Sequence, residues 1–151
     1  MSRRHFIAAS AVLAFTVACQ SDGTPLQPEG LSHAAATRTC GPADGPAVAI
    51  YLAPSPVAVI EPAAPYVRVN IWQSVSDVEG GTWDVASGAD AAAWYSATST
   101  EVEVATDGHV TVSAVGPDTT VRGTVDLTFP SAGRITGSFE AAWISASPLC
   151  G

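Results

Sequence analysis

The chain predicts an all-β fold: an antiparallel β-sandwich or a small closed barrel of about eight strands. Three observations carry this. From Ala47 onward, short β-branched runs recur, each stopped by Pro or Gly. The clearest of them alternate apolar and polar residues with a period of two, which places one set on each face of a sheet. No convincing helical period of 3.6 appears, and only Ala91 to Ala93 could begin a short helix. At 151 residues, the chain has room for one domain.

Taken in order, Ala47 to Ala53 is an apolar strand stopped by Pro54, and Val57 to Glu61 is a second, stopped by Pro62. Tyr66 to Val75 alternates cleanly. Val67, Val69 and Ile71 share one face; Tyr66, Arg68, Asn70 and Trp72 share the other. Thr82 to Ala86 and Ala93 to Thr98 are weaker strands, punctuated by Gly80-Gly81 and Gly88. Glu101 to Thr106 and His109 to Val115 read as a hairpin around Thr106-Asp107-Gly108. That three-residue loop sets Val104 against Val110 and Val102 against Val112, one apolar face against another. Val121 to Phe129 and Ile135 to Trp143 repeat the device around Ser131-Ala132-Gly133, pairing Phe129 with Ile135 and Val125 with Phe139. In this register Arg122 and Glu140 are diagonal neighbours. Phe129, Phe139 and Trp143 are the large core anchors.

The N-terminus reads as a targeting segment. Arg3 and Arg4 precede an uncharged, largely apolar run from Phe6 to Val17, too short for the roughly 20 residues that span a bilayer. Ala18 then stands directly before Cys19. This resembles a bacterial lipoprotein signal, with Thr16 where that family carries Leu. The resemblance implies lipidation of Cys19 and attachment to the membrane through that lipid. Ordinary signal-peptidase cleavage after Ala18 is the alternative. Ser2-Arg3-Arg4-His5-Phe6 also resembles a twin-arginine export signal, against a general secretory one.

Three cysteines are present, Cys19, Cys40 and Cys150. Lipidation of Cys19 leaves an even pair, so a Cys40–Cys150 disulfide is expected, closing the domain end to end in an oxidising compartment. The expected organisation is a signal peptide over 1–18, a flexible Gly/Pro/Ser-rich tether over 19–39 and a disulfide-closed β domain over 40–151. The expected location is the extracytoplasmic side of the cell envelope. The closing segment Gly123 to Ala141 resembles the final hairpins of uncharacterised exported bacterial lipoproteins. This implies the same class of protein and carries no activity.

Charge narrows the functions. All six basic residues are Arg, against fourteen acids. Without Lys there is no Schiff base or phosphate-loop lysine. Past residue 18, four Arg remain against the fourteen acids, a net charge of −10. Nucleic acid is excluded as a partner, since its affinity comes from cations neutralising phosphates. No catalytic triad, zinc spacing or nucleotide loop is present, and no cofactor is expected. His109 is expected on a polar face near Glu101 and Glu103. Asp77, Glu79, Asp84 and Asp90 crowd a Gly-rich stretch but do not follow the EF-hand spacing. The best binding candidate is the Tyr66, Arg68, Asn70 and Trp72 face, whose chemistry suits a sugar or peptide. The expected function is structural or binding, without catalysis. The alternatives are a barrel enclosing a small apolar ligand and, more distantly, a carboxylate-dependent hydrolase.

Overall fold

The computed structural model describes residues 30–116, 120–144, 148 and 150. Cys19 and the signal segment lie outside them. The fold is all-β, one nine-stranded sheet curled into a half-barrel. Its strands are β1 (His33–Cys40), β2 (Pro46–Ala53), β3 (Tyr66–Ile71), β4 (Thr82–Asp84), β5 (Ala91–Ser96), β6 (Val102–Val104), β7 (Asp107–Val115), β8 (Thr120–Phe129) and β9 (Gly133–Trp143). In the sheet they run β4-β7-β8-β9-β1-β2-β3-β5-β6. All neighbours are antiparallel except β1 and β9, which pair in parallel through Ala35↔Ala142 and Ala36↔Trp143.

The inner face holds the core, and the period-two stripes supply it. Val67, Val69 and Ile71 of β3 are fully buried there, as are Val110 and Val112 of β7 and Leu127 and Ile135 of β8 and β9. Val78 and Val85, from the segments flanking β4, complete the packing. Cys40 and Cys150 are bridged, their Cα atoms 5.5 Å apart, as the cysteine count predicted.

Several expectations are corrected. Residues 33–40, mostly assigned to the tether, form β1. Its run of Ala has little strand propensity, but β2 satisfies its backbone along its whole length. The small side chains of Ala35 and Ala36 also let the strand sink into the sheet. Val57 to Glu61 is not a strand. It lies in a loop carrying Pro54, Pro56, Pro62 and Pro65, which lack the amide hydrogens a ladder needs, and Val59 and Ile60 are exposed on it. β3 ends at Ile71, where the Trp72 amide turns to the Asp90 carbonyl. Ala91 to Ala93 begins β5, not a helix.

The 101–115 hairpin does not form. β6 pairs with β5, while β7 pairs with β4 and β8. The chain changes neighbours between two consecutive amides: Ala105 N donates to Ala93 of β5, and Thr106 N to Thr128 of β8. Val110 and Val112 reach the core from β7 without Val102 and Val104, which remain 56% and 54% exposed. The β8–β9 hairpin does form, in a register two residues tighter than expected: Phe129↔Gly133, Leu127↔Ile135, Val125↔Gly137. A shift of two keeps every side chain on its expected face, so the hydrophobic pattern could not detect it. It also sets Arg122 directly opposite Glu140.

Candidate functional site

The outer face of β2, β3, β5 and β6 gathers the expected binding residues. Register lines up Tyr51, Arg68, Trp94 and Val104 in one row across four strands. The adjacent row is Ala49, Asn70 and Ala92. The two alanines leave room beside Asn70, and Arg68 folds back toward it: Arg68 Nε donates to Asn70 Oδ1 at 2.8 Å. The guanidinium carbon then stands 5.8 Å from both the Tyr51 and Trp94 ring centroids, within cation–π range of each. Aromatic contacts extend the cluster, with Tyr51 and Tyr66 centroids 6.1 Å apart and Trp72 edge-on to Trp94 at 6.4 Å.

Neighbouring segments hold the ends of this face. The Trp72 ring lies against Gly41, where a Cβ would come within 3.2 Å of it, and its Nε1 donates to the Gly88 carbonyl at 3.3 Å. Tyr51 is completely buried, and its hydroxyl lies against the Glu61 backbone without closing a well-aligned hydrogen bond. Burial raises its pKa; the Arg68 charge opposes this, the charge of Glu61 on the Pro-rich loop adds to it, and the Glu61 backbone lowers it through that poorly aligned hydrogen bond. Arg68, Tyr66, Trp72 and Trp94 are half-buried.

All four expected residues therefore share one face. Asn70 differs in role: it is only 4% exposed, so it positions Arg68 and does not project into solvent. Tyr51 and Trp94 belong to the cluster and were missed. Tyr51 is the one hydroxyl-bearing residue in the apolar run Ala47 to Ala53, and that was its only signal.

The outer face of β4, β7, β8 and β9 is chemically different. His109 lies between Asp84 and Asp126, not near Glu101 and Glu103 as expected. Arg134 reaches Asp126 through two nitrogens at 2.7 and 2.6 Å, and this hydrogen-bonded guanidinium holds the Asp126 carboxyl below its usual pKa. Arg122 grips Glu140 in the same way, at 3.1 Å twice. A shallow groove of about 420 Å³ beside that pair is lined by Thr111, Ser113, Thr124 and Ser138. In the acidic stretch, Asp84 Oδ1 accepts the Ala86 amide at 2.7 Å, and Asp77 is bonded to Ser74 and Ser76. Among the described residues, no group of three or more His, Cys, Asp or Glu side chains could hold a metal ion. Nor is any described helix long and apolar enough to cross a membrane. No protein-family model, curated protein or solved structure matches the chain.

Proposed function

We propose that this is a non-catalytic, lipid-anchored domain on the extracytoplasmic side of the cell envelope, attached through Cys19, that binds a partner on the outer face of β3, β5 and β6. The observation that carries the reading is Arg68. Its guanidinium is aimed by Asn70, bracketed by Tyr51 and Trp94, and makes no salt bridge to any described carboxylate. Half-buried arginine beside half-buried tryptophan is the composition of binding hot spots. The disulfide fits an oxidising compartment. The main carboxylates of the opposite outer face are engaged by Arg side chains or turn amides, which favours binding over hydrolysis. Carbohydrate or protein partners suit this chemistry; nucleic acid does not, given the acidic charge and absence of lysine.

The test is Trp94→Ala in the full chain carrying Cys19→Ala, read on envelope polymer stripped of membrane lipid so that no anchor holds the protein there. Retention on isolated envelope material should fall at least about tenfold, because a hot-spot tryptophan contributes about 2 kcal/mol or more. The urea midpoint, measured in parallel, separates lost binding from lost folding. Unchanged retention by a folded variant would remove this face from the proposal. Cys19→Ala tests the anchor separately: it should abolish lipid labelling and release the protein from membranes, and equal membrane retention of both forms would sink that part.

A further inference from the structure

Arg68 says more about the ligand than that one exists. Its Nε is committed to Asn70, and its two terminal nitrogens make no hydrogen bond to any described residue. The other described arginines with bonded side chains, Arg122 and Arg134, each close a two-nitrogen pair with a carboxylate. Arg68 has had its geometry fixed without receiving an anion. A guanidinium held in this way presents a planar donor fork matched to a carboxylate.

The fork sits on an interior strand, two strands from the β6 edge. β3 is paired on both edges, by β2 and β5, and β5 on both of its own, by β3 and β6. No strand edge is open beside Arg68, so a peptide could not add there through its main chain. Recognition must come from side chains: the donor fork and the half-buried Trp94, Trp72 and Tyr66 rings. These suit a compact ring whose apolar face stacks on an indole while an attached carboxylate meets the fork. Dense negative charge is disfavoured, because the chain past residue 18 carries a net −10. We infer that the face formed by Arg68, Trp94, Trp72 and Tyr66 binds a saccharide unit bearing a single carboxylate, a hexuronate.

This rests on the binding-face reading above and gives it a ligand class.

The experiment is titration of the full chain with glucuronate and with glucose, followed through tryptophan indole NMR signals. Glucuronate should shift the Trp94 and Trp72 signals and bind about ten- to a hundredfold more tightly than glucose, the range of a charge-assisted pair. Arg68→Gln should remove that preference. Arg68→Lys, which keeps the charge without the fork, should retain part of it and guards against a variant that fails to fold. Equal affinity for both sugars, unchanged by Arg68→Gln, would overturn the carboxylate assignment while leaving a saccharide-binding face in place. No response to either sugar would overturn the saccharide assignment, and retention of Trp94→Ala on envelope material would then decide the binding face independently.

Discussion

Arg122 and Arg134 on one half of the sheet, and Arg68 on the other, are the same side chain in different registers. β9 places Glu140 directly opposite Arg122, and Asp126 lies diagonally across from Arg134. Both guanidiniums are paired within the sheet, and the surface around them is a field of hydroxyls and closed ion pairs. Thr82, Thr111, Thr124 and Ser138 form one such row across four strands. Around Arg68 the flanking strands offer aromatic rings and small alanines, and no acid. What distinguishes a self-satisfied face from a receptive one is thus the residue that neighbouring strands present at that register. Exposed pairs of the first kind add little stability, so their main effect is to leave no group seeking a partner.

The two halves meet at the parallel β1–β9 seam, which has only two register pairs, and the Cys40–Cys150 bridge spans it nearby. Removing the bridge is the largest expected perturbation. Replacing both cysteines by serine should cost about 4 to 5 kcal/mol in urea unfolding, the loop-entropy value for a closure of this length. A loss below about 1 kcal/mol would show that the paired strands already constrain the ends, and that the halves need no staple.

The next perturbation acts inside one half. A Cβ on Gly123 would run into the Thr111 carbonyl oxygen and stand 2.7 Å from the Phe139 ring, so β7 or β9 must move. Gly123→Ala should destabilise by about 1 to 3 kcal/mol, as overpacking does. Hydrogen exchange should accelerate first at β7, β8 and β9, with β2, β3 and β5 following less. Equal acceleration in both halves would make the sheet one cooperative unit and confine the comparison to its surface.

This asymmetry was only partly legible in the sequence. Period two identified the outer face of β3 and the inner stripe of β8 and β9, because side-chain alternation is local. It could not supply neighbours. Val102 and Val112 look like partners on either side of a turn, yet β6 joins β5 and β7 joins β8, since the sheet's curl brings Thr106 to Thr128. β1 was illegible for a similar reason: alanines signal no strand until two partners flank them. Tyr51 and Trp94 were invisible as members of the Arg68 cluster because their place depends on two strand registers, and register is a long-range property.

A smaller effect is expected beneath Arg68. The Tyr51 hydroxyl is buried against the Glu61 backbone without a well-aligned hydrogen bond, and an unsatisfied buried group costs about 1 to 3 kcal/mol. Tyr51→Phe should therefore raise stability, by about 1 kcal/mol once relaxation is allowed for. The pH dependence follows from the raised phenol pKa. A group whose folded pKa is raised contributes stability that is fully present below its unfolded value, about 10, and lost as pH rises through the folded one. Wild type should weaken above about pH 10 more steeply than Tyr51→Phe. A variant less stable than wild type would mean that the hydroxyl has a partner after all.

The smallest expected effect returns to the paired half and has the opposite sign with pH. Arg134 holds the Asp126 carboxyl below its ordinary value by hydrogen bonding, with burial opposing. A depressed carboxylate contributes stability that is present above its unfolded pKa, near 4, and lost as pH falls through the lower folded one. The pair is largely open to solvent, so its contribution is small and weakened further by salt. Asp126→Asn keeps the size and one acceptor oxygen while removing the charge. Between pH 7 and pH 2 the wild type should lose slightly more stability than this variant, and 1 M NaCl should shrink the gap. Arg68, with no carboxylate of its own, should give no such acid-dependent gap in Arg68→Gln. Matching acid losses for Arg68→Gln and Asp126→Asn, each against wild type, would mean that Arg68 is also paired with a carboxylate and would erase the contrast between the two faces.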